Sequence, residues 1–162
     1  ITGEDVDEQR NQMIEASRIA RGDILPLSEA KAEAFDALVM PGGNGGFLNL
    51  SQGPDGIRPD VKQLIIDFND AGKPIVAICI APLLVARALG DRGVRLTIGD
   101  DRDTAKKIEE TGAHHLSCSV YNCVADENNL VVSTPAYMLG PGIYDVSCGI
   151  QAAMDKLEEW LR

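Results

Sequence analysis

Between Lys73 and Pro82 the chain reads Lys-Pro-Ile-Val-Ala-Ile-Cys-Ile-Ala-Pro, a β-rich apolar run, and passes directly into Leu83, Leu84, Val85, Ala86 and Leu89, a helix apolar nearly all round that ends at Gly90. A strand with no polar alternation is buried on both faces, which is the habit of parallel sheets covered by helices. The same run delivers one cysteine, Cys79, to the point where strand gives way to helix. There the side chain stands at the carboxyl end of the strand, and the next backbone N–H with the helix N-terminus favours a thiolate and a developing oxyanion. Free cysteine is also one of the most buried residue types and can serve as a small hydrophobe, so the rest of the chain must decide between the two.

The remaining pattern repeats the alternation. Met13, Ile14, Ser17 and Ala20 fall at helical spacing within Asn11 to Arg21, with Gly22 as C-cap. Ile24 and Leu25 read as a short extended piece, and Ser28 to Ala34 as a brief helical turn. Asp36 to Met40 reads as a strand stopping at Pro41-Gly42-Gly43, and Asn44 to Gly56 as a long loop. Pro59 opens a helix whose Val61, Leu64, Ile65 and Phe68 share a face, closed by Gly72. Val94 to Ile98 reads as a short strand leading to Gly99-Asp100-Asp101, and Asp103 or Thr104 can cap a helix reaching Gly112. Asn122 to Ala125 and Leu130 to Ser133 read as a hairpin, and Gly142 to Leu161 as an amphipathic terminal helix.

Such alternation predicts a three-layer α/β sandwich with a mostly parallel sheet, in which ligands bind beyond the carboxyl ends of the strands. Gly42, Gly43, Asn44, Cys79, Gly99, Asp100, Thr134 and Pro135 are expected to converge there. Thr134 would offer a hydroxyl to the pocket, or mark a strand end whose bond to Pro135 is restrained and open to a cis form.

Composition removes whole classes of function. The 162 residues are 44% apolar and 25% charged, the balance of one soluble domain spanning 1–162, and the net charge is −10. An acidic surface repels phosphate backbones and anionic bilayers, so neither nucleic acid nor a membrane is an expected partner. No apolar run approaches the roughly 18 residues of a membrane helix, and no signal peptide pattern is present. Cys79, Cys118, Cys123 and Cys148 form no C-x-x-C or Cys/His zinc spacing. Four free thiols in a reducing compartment are expected, with no metal and no cofactor. Asp100, Asp101 and Asp103 read as cap and solvated loop rather than a calcium loop.

Five blocks in order carry a resemblance. Arg10-Asn11 with Ile14 to Gly22, Pro41-Gly42-Gly43 with Asn49-Leu50-Ser51, Ala71 to Pro74 with Cys79-Ile80-Ala81-Pro82, Leu96 to Gly99 with Asp103-Thr104-Ala105, and Thr134 to Met138 together resemble the ElbB branch of the ThiJ/PfpI superfamily. The resemblance implies a class I glutamine-amidotransferase-like, flavodoxin-like fold with Cys79 on the nucleophile elbow. It also implies a glyoxalase-like activity that turns glyoxal or methylglyoxal into a hydroxyacid without glutathione, a link to isoprenoid biosynthesis, and a homodimer in the cytoplasm, or in the mitochondrion for a eukaryotic chain. Gly43 and Ile80 N–H groups are the oxyanion donors it implies, glycine allowing close approach.

Two departures bear on mechanism. Relatives that are peptidases or amidotransferases place a histidine beside the nucleophile, often directly after it, whereas Ile80 stands here. Another branch has a histidine where this chain has Gly99-Asp100-Asp101. His114 and His115 remain, and His115 is the better general-base candidate, against a plainer role for both in a turn. The carboxylate that contacts the cysteine in the superfamily follows a first strand that this sequence, beginning at Ile1 with the polar Glu4, Asp5, Asp7 and Glu8, does not display. An N-terminal truncation, and with it an uncovered sheet edge, is the expectation. Two other readings stand beside the enzyme: a thiol sensor in which Cys79 is oxidised rather than turning over, and a glutaminase subunit, disfavoured by the absent adjacent histidine.

Overall fold

Hydrogen bonding arranges the centre of the protein around the predicted apolar strand. In the computed structural model, which describes residues 7–140 and 142–162, the chain divides into two units, residues 1–30 and 31–162. The acidic lead-in expected over the first ten residues lies in part, Glu4 and Asp5 included, outside the described residues.

The first unit carries helix α1, Gln12–Ile19, and a single 3-10 turn, Leu27–Glu29. Asn11 starts α1 because its side-chain oxygen accepts from the Met13 and Ile14 amides at 3.0 and 3.1 Å, satisfying two donors that have no partner in the first turn.

The second unit holds the sheet. Strands β1 (Leu38–Met40), β4 (Ile75–Ile78), β8 (Val131–Thr134) and β7 (Val124–Asp126) lie in the order β1-β4-β8-β7. β1, β4 and β8 are mutually parallel, with Met40 beside Ala77 and Ile78 beside Thr134, so their carboxyl ends finish together. β7 returns antiparallel on β8 through the predicted hairpin. All four residues of β4 are buried. Val76 and Ile78 pack with Val132, Val146, Ala153 and Leu157 in the core beneath helix α6, Ile143–Leu161. By strand alternation Ile75 and Ala77 face the opposite layer, where α3 (Pro59–Asp70) and α4 (Ala81–Leu89) pack. The result is a mixed α/β sandwich around a mostly parallel sheet, as the alternation required. Among the described residues β1 has one strand neighbour, and Val39 is 42% exposed.

Three segments differ from expectation. Asn44 to Gly56 is not a loop: Asn44–Leu50 forms helix α2, and Ser51–Gln52 (β2) pairs with Gly56–Ile57 (β3) in a small hairpin. The turn expected over Ser28 to Ala34 is two separate 3-10 turns, the second Ala32–Ala34. The strand expected over Val94 to Ile98 contracts to β5, Arg95–Leu96, paired with β6, His114–His115. Beyond Leu96 the backbone turns to side chains for its bonds: the Thr97 amide donates to Ser133 Oγ at 2.9 Å, and the Gly99 amide to Thr97 Oγ1 at 2.9 Å. Helix α5, Arg102–Glu109, is capped by Asp101, whose Oδ1 accepts from the Thr104 amide, rather than by Asp103 or Thr104, which lie two and three residues further on inside the helix.

Candidate functional site

Cys79 occupies the turn between β4 and α4 with a backbone φ of 65°, a left-handed conformation that L-residues with a Cβ avoid. The turn is held by the strand it leaves: the Cys79 amide donates to the Thr134 carbonyl at 3.0 Å, extending the β4–β8 ladder one residue past the sheet. Ile80 then begins α4, with Pro82 in the first turn, where its missing N–H costs nothing. Strain of this kind, of order 1–3 kcal/mol, persists only where the surroundings over-determine it, and it clusters at functional sites. Of the three other described residues with side chains and positive φ, Arg21 and Leu130 lie elsewhere, while Ala136, at φ 47°, stands immediately beyond β8 and Pro135. Cys79 and Ala136 line the same cleft.

That cleft has a volume of about 420 Å³ and is walled by Pro41, Gly42, Gly43 and Asn44 on one side and Ala136, Tyr137 and Ile150 on the other, with Ile78 and the half-buried Cys79 between them. The walls meet closely behind the sulfur. Gly42, at φ 84°, passes so near the elbow that a Cβ there would stand 2.5 Å from the Ile78 carbonyl oxygen, 3.0 Å from Cys79 Cβ and 3.4 Å from the Ile80 amide nitrogen. Gly43, at φ 91°, has open space where its side chain would be. Among the described residues neither the Gly43 nor the Ile80 N–H donates to another protein group. The cleft wall therefore joins a sulfur, the unengaged Gly43 N–H, one amide side chain and one phenol, and Ile80, with its own unengaged N–H, is the next residue after Cys79. Cys79 and Tyr137 are the titratable residues of its wall.

Of the residues named from the sequence, Gly42, Gly43, Asn44 and Cys79 come together, with Ile80 directly behind them. Thr134 supports the elbow through its carbonyl, while its buried hydroxyl donates to the Asn122 carbonyl at 2.9 Å rather than facing the cleft. Pro135 follows in a trans linkage, the described residues containing no cis peptide. Gly99, at φ 96°, is covered by Leu139, whose side chain occupies the place of its absent Cβ, and Asp100 is exposed beside it; neither lines the cleft. His115 Nε2 accepts from the Ile98 amide at 3.3 Å just beyond the β5–β6 pair, burial pushes its pKa down, and it too is absent from the cleft wall. Burial likewise raises the Cys118 and Cys123 thiols. Among the described residues no three His, Cys, Asp or Glu side chains cluster as a metal site would require. Pro41, Ile78, Ala136, Tyr137 and Ile150 line the cleft as well, beyond the residues that the sequence marks. Tyr137 carried a signal, an aromatic residue three positions past a strand end, whereas Ile150 is one apolar residue among many on α6.

A strained cysteine at the turn between a parallel strand and a helix, facing glycines at the next strand end, defines an α/β protein of the flavodoxin-like class. The comparisons agree: residues 6–139 match the DJ-1/PfpI family, and the chain belongs to that family. It is 37% identical over 94% of its length to the human glutamine amidotransferase-like class 1 domain-containing protein 3, mitochondrial, spanning 61% of that protein. It is 32% identical over 66% of its length to protein/nucleic acid deglycase 2 of Escherichia coli, of which it covers 56%. Among solved structures it superposes with a TM-score of 0.90, at 37% identity, on an isoprenoid biosynthesis protein with amidotransferase-like domain from Ehrlichia chaffeensis, covering 98% of this chain and 75% of that one. The chain thus spans about three fifths of the curated relatives it matches.

Proposed function

We propose that this protein is a cysteine-dependent, glyoxalase-like enzyme of the ElbB type, converting glyoxal or methylglyoxal to a hydroxyacid without glutathione. The observation that carries the reading is Cys79 at φ 65° inside a small cleft beside the free Gly43 and Ile80 amides. Membership of a family that includes a deglycase supports carbonyl chemistry at that sulfur.

In this reading the Cys79 thiolate adds to one aldehyde carbon, and the carbonyl electron pair moves to oxygen, where the Gly43 and Ile80 N–H groups receive it. The hydrogen on that carbon leaves as a proton and a proton is delivered to the neighbouring carbon, so the first carbon is oxidised and the second reduced, with no external redox partner. The product is a hydroxyacyl thioester, and water releases the acid and restores the thiol. Glyoxal and one water give glycolate. The base for the internal proton transfer is assigned to the carboxylate that the family resemblance implies, since the described cleft wall carries no carboxylate.

The remaining parts of the proposal follow the same resemblance and the acidic net charge of −10. The protein works as a homodimer, on a small aldehyde rather than on nucleic acid or a membrane, and needs no cofactor. Its compartment is reducing, which suits four unpaired thiols: the cytoplasm, or the mitochondrion if the chain is eukaryotic, as the name of the human relative suggests.

The deciding experiment incubates the full-length protein with glyoxal and follows glycolate. Cys79→Ser is expected to lower kcat/KM by at least about 1,000-fold, the scale of losing a covalent nucleophile. Absence of glycolate with Cys79 intact overturns the proposal and leaves the thiol as a sensor; release of ammonia from glutamine would move it to the glutaminases.

A further inference from the structure

The cleft wall formed by Gly43 and Asn44 begins a segment with little capacity to hold its own shape. Helix α2 has seven residues, too short to persist alone in water, and two of them are Gly45 and Gly46, each disfavoured in a helix by roughly 1 kcal/mol. The hairpin after it has two residues per strand. Arg58 steadies the last turn of α2 by donating to the Asn49 carbonyl, but Arg58 belongs to the continuation of the same segment.

One side chain ties the segment to a different element. Arg87 rises from α4, two turns beyond the elbow, and its guanidinium donates from Nη1 to the Gly56 carbonyl at 2.7 Å and to Ser51 Oγ at 3.3 Å, and from Nη2 to the Pro54 carbonyl at 2.6 Å. Its central carbon also lies 5.2 Å from the centroid of the Phe47 ring. Phe47 in turn donates its amide to the Gly43 carbonyl at 2.8 Å. A continuous path therefore runs from α4 through Arg87 and Phe47 to the residue that faces Cys79. Only a planar, multiply donating group satisfies both ends of it, because one face must lie over a ring while the edge reaches two carbonyls.

We propose that Arg87 is a positioning residue for the Cys79 site: it fixes residues 43–57 to the helix that starts at the nucleophile, and so sets where Gly43 and Asn44 stand relative to the sulfur. The proposal rests on the aldehyde reading for its effect on rate, but not for its effect on the segment. Because sulfur and wall are both referenced to α4, the donor geometry is kept even though the wall itself is glycine-rich. The oxyanion contact matters only once the carbonyl has been attacked, so its loss falls on kcat.

The test compares wild type, Arg87→Met and Arg87→Lys by three measurements. Amide deuterium exchange is expected to accelerate about 10-fold or more in residues 43–57 of Arg87→Met while β4 and β8 keep wild-type rates, as local opening without global unfolding requires. Turnover of glyoxal is expected to fall about 10- to 100-fold in kcat with KM changed far less, the scale of a misplaced contact, and Arg87→Lys to recover only part of it. Alkylation of Cys79 by iodoacetamide, which develops no oxyanion, should stay within about 2-fold of wild type. Unchanged exchange in 43–57 overturns the proposal, and so does an alkylation rate that falls as far as turnover, which would mean a damaged elbow. Should wild type itself make no glycolate, the aldehyde reading fails, and exchange alone still decides whether Arg87 holds the wall.

Discussion

Gly42 and Cys79 are packed so closely that the side chain absent from one would touch the other: a Cβ at residue 42 would lie 3.0 Å from Cys79 Cβ and 2.5 Å from the Ile78 carbonyl oxygen. Two strand ends meet there with nothing between them, and this is what brings the 43–44 wall within reach of the sulfur. The requirement is double, since the φ of 84° at Gly42 is also one that side chains resist.

Gly42→Ala should therefore act at the site as well as on stability. The left-handed backbone costs about 1–2 kcal/mol with a side chain present, and relieving the overlap costs about 1–3 kcal/mol more. The expected outcome is a fall of roughly 2–5 kcal/mol in urea-unfolding free energy together with an altered rate of Cys79 alkylation. Gly43→Ala, with open space around it, should be strained by φ alone and lose less stability. Equal losses in the two variants would contradict the close-approach argument.

Asp126 ties β5 to the β7–β8 hairpin. Its buried carboxylate accepts from the Arg95 amide at 2.8 Å, from the Asn128 and Asn129 amides at 3.1 and 3.4 Å, and from Asn129 Nδ2 at 2.9 Å. Burial works to raise its pKa, yet the donors together outweigh it and the carboxyl sits below its usual value. A depressed folded-state pKa gives stability that is present above the unfolded value, near 3.9, and is lost as pH falls through the folded one. Asp126→Asn is expected to destabilise by about 2 kcal/mol at pH 7 and to flatten the acid limb of a denaturation-midpoint profile below about pH 4. A variant with the wild-type acid limb would show that other carboxylates govern it.

How far the sequence revealed this fold depended on whether the stabilising contacts were local. β4, β8, α3, α4 and α6 were legible because apolar runs and face periodicity end at Gly or Pro, and those elements form where the pattern puts them. α2 was not, because Asn-Gly-Gly-Phe-Leu-Asn-Leu has no start signal and weak propensity, and the Arg87 side chain that pins its neighbourhood lies about forty positions away in the chain. The same division applies to the cleft. Cys79, Gly42 and Gly43 announce themselves at strand ends, whereas Gly99 follows an expected strand that stops at Leu96 and turns beneath Leu139, a contact that no spacing rule contains. Ala136 and Ile150 line the cleft through tertiary geometry alone.

Gly149 permits α6 to lie against the end of the sheet. An added Cβ would overlap the Val120 carbonyl oxygen and stand 2.8 Å from Thr134 Oγ1, the hydroxyl bonded to Asn122. Backbone cannot yield as a flexible side chain does, so Gly149→Ala must push the helix outward despite alanine's better helix propensity. A loss of about 1–3 kcal/mol is expected, and with it faster Cys79 alkylation, because the neighbouring Ile150 is part of the cleft wall. A stabilised variant would mean that α6 relaxes freely at this point.

His115 separates a structural imidazole from a catalytic one. The Ile98 amide donates to its Nε2 at 3.3 Å, which leaves the ring proton on Nδ1, and protonating Nε2 would turn that acceptor into a second donor facing an N–H. Burial lowers its pKa, and the Glu109 carboxylate opposes the shift only in part. With the folded pKa below the unfolded value near 6.5, the unfolded chain binds more protons between the two, so stability should decline as pH falls from about 6.5 and be fully present above it. His115→Leu is expected to be less stable than wild type at pH 7.5 yet to lose this decline between about pH 6.5 and 5, while His114→Gln, altering an exposed neighbour, keeps it. In the same variants glycolate formation at pH 7.5 should track the folded fraction. Complete loss of turnover in a well-folded His115→Gln protein would instead restore this histidine as the general base.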